Sequence, residues 1–87
     1  MLFMVIERFK NQDAAPVYRR FREHGRMMPD GLNYINSWVD ADSGRCFQLM
    51  ETDEPRLFGQ WVAAWEDLVD FEIVPVVPGS DVAATIV

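Results

Sequence analysis

Residues Met1-Leu2-Phe3-Met4-Val5-Ile6, MLFMVI, place six apolar side chains in a row with no polar break. A strand packed on one face alternates apolar and polar residues; an unbroken run is covered on both faces. The run lacks a basic start and is followed at once by Glu7 and Arg8, so it reads as a strand and not as a secretory signal. It is also far short of the ~20 residues that span a bilayer. Two-residue periodicity splits it into Phe3/Val5 and Leu2/Met4/Ile6. With 87 residues the chain is one domain, and a domain of that size has little material to cover both sets.

Outward from this strand, Leu2–Phe9, the chain breaks at Lys10-Asn11-Gln12-Asp13, with Asp13 a plausible helix cap and Pro16 tolerated in the first turn. Ala14, Val17, Tyr18, Phe21 and Met28 then recur at helical spacing, and arginines fill the other side. Gly25 lies near the helix end, and Pro29-Asp30-Gly31 is a turn. Leu32–Asp40 reads as a second strand, with Leu32, Tyr34, Asn36 and Trp38 on one face and Ile35, Ser37 and Val39 on the other. A hairpin loop leads to a third strand, Arg45–Glu51. Thr52-Asp53-Glu54-Pro55 signals a helix start, and Leu57, Phe58, Trp61, Trp65 and Leu68 trace its apolar stripe. The last strand, Asp70–Val77, contains Pro75, which removes a ladder donor and assigns it to a sheet edge.

Strand–helix–strand twice over gives an α+β, ferredoxin-like split β-α-β fold (βαββαβ): a four-stranded antiparallel sheet with the first and third strands central. The domain spans 1–78, and 79–87 form a tail or arm. Right-handed crossovers set both helices on one face. The other face stays bare, and a large exposed apolar patch is uncommon in a monomer. A second copy packed sheet to sheet is the economical cover. An even hairpin loop pairs Trp38 with Phe47 and Asn36 with Leu49, so the expected dimer interface is Leu32, Tyr34, Asn36, Trp38, Phe47 and Leu49.

Net charge is −6, but six of the eight basic side chains lie in residues 1–26 and eleven of the fourteen acids lie beyond. That acidic remainder repels phosphate, and no nucleic-acid module motif is present, so nucleic acid is not an expected partner. The basic helix is a solvated face or a site for an acidic partner. The single thiol, Cys46, forms no intrachain disulfide and fits a reducing, cytoplasmic setting.

The segments MLFMVIERFK, YRRFREHGRMMPDGLNYINSWVDAD and GRCFQLMETDEPRLFGQWVAAWEDLVDFEIVPV resemble the dimeric α/β-barrel superfamily, and within it a small bacterial family known only as a domain of unknown function. Superfamily relatives include cofactor-free monooxygenases, lactone isomerases, haem-dependent peroxidases and stress-responsive barrel proteins. The resemblance implies fold and dimerisation; it implies chemistry weakly, because one scaffold hosts many functions.

His24, the one histidine, is the obvious general base near neutral pH, with Tyr34, Glu51 or Glu7 as partners; late in a helix it also simply favours the C-terminal dipole. Gln48 interrupts an apolar strand and Asn36 raises the same question on the other face; a buried amide must be hydrogen-bonded. Cys46 reads as a small buried hydrophobe. Tyr18, Trp38, Trp61 and Trp65 are core or the lining of a flat pocket between helices and sheet. No ligand spacing for zinc or iron and no phosphate loop occurs, so no metal or cofactor is expected. The leading expectation is a homodimer that binds a small apolar or aromatic molecule. The alternatives are a cofactor-independent monooxygenase or isomerase using His24, Tyr34, Asn36 and Gln48, and an interaction module using the basic first helix.

Overall fold

The computed structural model describes residues 1–42 and 44–86. In chain order the elements are β1 (Leu2–Phe9), a 3-10 turn (Lys10–Gln12), α1 (Ala15–His24), β2 (Asn33–Val39), β3 (Arg45–Glu51), α2 (Leu57–Ala63), β4 (Val69–Val76) and α3 (Gly79–Ile86). The strands form one antiparallel sheet in the order β2-β3-β1-β4. The most continuously apolar strand, β1, therefore has a neighbour on each side, and β4 with Pro75 lies at an edge, where a missing donor costs no ladder bond.

Phe3, Val5 and Phe9 of β1, Cys46 and Met50 of β3 and Val69 of β4 are buried under Val17 of α1 and Leu57, Phe58 and Trp61 of α2. Ring contacts tie the layers, with Phe58 edge-on to Phe3 at 5.1 Å and Trp61 to Phe71 at 5.2 Å. The other parity of β1, Leu2, Met4 and Ile6, is only half buried. It lies level with Glu51, Leu49 and Phe47 of β3 and with Val76, Val74 and Glu72 of β4. This answers the opening run: the helices cover one face, and on the other the side chains of neighbouring strands shield one another.

The pairs Trp38–Phe47 and Asn36–Leu49 form as the hairpin predicts, but Tyr34 lies opposite Met50 because a bulge at Ile35 adds one residue. The strict alternation expected of this strand is thereby corrected. Tyr34 shares the helix-covered face with Ser37, and its hydroxyl lies 2.7 Å from Ser37 Oγ. Leu32 is buried in the core. Neither belongs to the open face, which keeps Asn36, Trp38, Phe47 and Leu49.

The second helix is shorter than its stripe. Regular α2 ends at Ala63, and the chain winds on through turns that still bring Trp65 into the core. Residues 79–86 form a helix whose described side chains are exposed. The radius of gyration is 14.1 Å, above the about 12 Å of a compact domain of this length, as a thin two-layer body with a projecting helix requires. Among the described residues no helix is long and apolar enough to cross a membrane.

Candidate functional site

The helices leave a gap above the sheet. A cavity of about 150 Å³ opens there, lined on the apolar side by Phe9, Val17, Tyr18, Phe21, Trp61 and Trp65. Its polar lining is Glu7, Gln48, Cys46, Ser37 and Arg26. A cavity of that size holds about one six-membered ring.

The floor is set by strand parity. Glu7 falls in phase with Phe3 and Val5, so β1 must aim its carboxyl under the helices, where it is only 7% exposed. Across the two central strands Gln48 Nε2 donates to Glu7 Oε1 at 2.5 Å. That leaves Gln48 Oε1 buried and, among the described residues, without a hydrogen-bond partner. Burial drives the Glu7 carboxyl from 4.5 up to about 7, against the opposing pull of the Gln48 amide and the Arg26 charge. Cys46, level with Glu7 on β3, is pushed up to about 11 by burial and by Glu7 itself. It is a thiol near neutral pH and no ready nucleophile.

The rim is set by the end of α1. Gly25 takes φ +69°, ψ −158°, and Met27 takes φ +56°, so the backbone turns sharply on either side of Arg26. The Arg26 carbonyl accepts both indole N–H groups, from Trp61 at 3.0 Å and from Trp65 at 2.9 Å. Its guanidinium lies 3.7 Å from the Tyr34 ring centre and 5.0 Å from that of Phe21. Its charge acts on the Glu7 carboxyl, but among the described residues no carboxylate lies within ion-pair distance of the guanidinium and no acceptor hydrogen-bonds to it.

The candidate residues separate cleanly. Gln48, Tyr18, Trp61 and Trp65 line the cavity. Trp38 does not: it is 51% exposed on the open sheet face, paired with Phe47, and its assignment to the pocket is corrected. Asn36 is on that open face too, its Oδ1 accepting from the Ser37 N–H. His24 is 61% exposed at the end of α1, 3.9 Å from Glu23, with no place in the cavity. Tyr34 stands behind the site, under Arg26 and bonded to Ser37. Sequence reasoning named Glu7 only as a partner for histidine and read Arg26 as part of a solvated face. The signal for Glu7 was in the sequence, as a lone acid in phase with Phe3 and Val5. Arg20 of the basic helix is spent within the chain, on two bonds of 2.7 Å to Asp67 and one of 3.0 Å to the Ala64 carbonyl. Among the described residues no three His, Cys, Asp or Glu side chains gather as a metal site would.

A family model described as a domain of unknown function (DUF3303) matches residues 1–87. No curated protein and no solved structure matches.

Proposed function

The chain belongs to the DUF3303 family, a domain of unknown function, and for it we propose a homodimeric, ferredoxin-like protein that binds a small aromatic or apolar ring between its helices and sheet. The cavity carries this reading: aromatic walls, one ring's volume, and at its floor the Glu7 carboxyl, one oxygen of which is held by Gln48 Nε2 while the other can accept from a ligand. A ring bearing a hydroxyl or N–H therefore binds better than a bare one. Thermal-shift measurements with phenol, cyclohexanone and toluene test it. Each ring raises the melting temperature through linkage, phenol the most, and Val17→Phe, which fills the cavity from α1, abolishes the shifts. Absence of any shift with the native chain overturns the reading.

The dimer rests on the open face. Met4, Ile6, Trp38, Phe47, Leu49 and Val74 form adjoining apolar rows there, and the strand order with two strand–helix–strand halves supports a ferredoxin-like unit paired through its sheet. Sedimentation at micromolar concentration finds two copies, and Leu49→Arg, mid-face, gives one. A monomeric native chain ends this part of the proposal and leaves the pocket untouched. A lone buried thiol, Cys46, fits a cytoplasmic setting.

A further inference from the structure

We propose that the cavity is a proton-transfer site for a single-ring carbonyl compound with an acidic C–H, in which Glu7 is the base and Arg26 holds the enolate oxygen. The inference rests on the pocket reading above and adds a reaction to it. Three observations converge. A carboxyl lies buried on the floor, with one oxygen held by Gln48 and the other left for a ligand. A cation stands at the same cavity, 3.7 Å from the Tyr34 ring centre and 5.0 Å from that of Phe21, with no hydrogen bond to its guanidinium among the described residues. The walls between them are aromatic and aliphatic, which lowers the local dielectric and strengthens both groups' action on a bound ring.

The step balances within the substrate. Glu7 carboxylate takes the proton from the carbon beside the carbonyl. The C–H electron pair becomes a C=C bond, and the carbonyl becomes an enolate whose oxygen accepts from the Arg26 guanidinium. Neutral Glu7 then returns its proton. Return to the same carbon exchanges the hydrogen; return two carbons on moves a β,γ double bond into conjugation. No oxidant, reductant or second substrate is consumed.

Proton removal requires ionised Glu7, so the rate rises with pH and levels off above about 7. The other titratable or charged groups facing Glu7 are Cys46 on β3, Tyr18 on α1 and Arg26 beyond it, while β4 offers only Phe71. Burial raises both Cys46 and Tyr18 away from neutrality, so a single midpoint is expected.

The test uses the full chain with cyclohex-3-en-1-one. Conversion to cyclohex-2-en-1-one is followed by ultraviolet absorbance, and hydrogen exchange in D2O by proton NMR. The expected result is a rate at least ~100-fold above buffer. Glu7→Gln returns it to the buffer rate while phenol still raises the melting temperature. Arg26→Gln lowers the rate at least ~10-fold, and its backbone carbonyl still anchors both indoles. Neither conversion nor exchange, in a protein that phenol stabilises, overturns the proposal and leaves ring binding standing. Full activity in Glu7→Gln overturns it as well. A chain that no ring stabilises and that converts nothing loses both readings.

Discussion

Trp61 and Trp65, one helical turn apart, donate their indole N–H groups to the same acceptor, the carbonyl oxygen of Arg26. The shared bond ties the end of α1 to the far side of the cavity. It also makes the two tryptophans energetically interdependent. With one indole removed, the carbonyl keeps a partner; with both removed, it loses its last among the described residues. Trp61→Phe and Trp65→Phe should therefore cost more together than the sum of the single changes, by about 1 kcal/mol. A double-mutant cycle by urea unfolding measures this, and strict additivity would show that the carbonyl finds water instead.

The parts of the fold that hydrophobic periodicity controls were legible. Continuous apolar runs marked β1 and β3 as inner strands, Pro75 marked an edge, and Leu57, Phe58, Trp61 and Trp65 marked a buried stripe. Two things were not. The bulge at Ile35 has no composition signal, and one extra residue moved Tyr34 and Leu32 off the face that simple alternation gave them. The site itself depends on a turn. Arg26 belongs by spacing to the solvated side of α1, and only the reversal at Gly25 and Met27 brings it over Tyr34. Glu7 was readable by parity, but a charge in a core phase is easily discounted because burying it is costly.

Gly31 joins the turn after α1 to β2 with φ +95°, and a Cβ there would stand 3.0 Å from Leu57 Cδ1. A side chain is therefore strained by the backbone and crowded by the first residue of α2. Gly31→Ala should lower the unfolding free energy by about 1–3 kcal/mol. Gly59, with open space around its Cβ position and a helical backbone, is the control. Gly59→Ala should be neutral or stabilising by up to about 1 kcal/mol. Chemical denaturation of both variants decides the matter, and equal effects would contradict the geometry.

Gln48 holds Glu7 towards ionisation, because its amide donates to the carboxylate. Gln48→Met keeps the length of the side chain and removes the donor. It also removes the orphaned Oε1, so stability changes little under conditions where Glu7 is neutral. The Glu7 carboxyl should then titrate above its native midpoint of about 7. Carbon-13 NMR of the Glu7 carboxyl reads the shift directly; an unchanged or lower midpoint would mean that the amide bond contributes nothing to the ionised state.

Burial of Glu7 also sets a stability cost at high pH. Its carboxyl titrates at about 7 in the folded chain and near 4.5 when unfolded, so between those values the native state binds the extra proton. Stability contributed by the neutral acid is fully present below about 4.5, declines as pH rises, and is gone above about 7. Across that window the loss is about 3 kcal/mol at 1.36 kcal/mol per pH unit. Glu7→Gln carries a side chain that does not ionise and escapes the decline. Compared with its relation to the native chain at pH 4, the variant should gain about 3 kcal/mol of relative stability by pH 8. Urea unfolding of both proteins across that range measures the difference, and parallel curves would mean that the Glu7 carboxyl is hydrated in the native state.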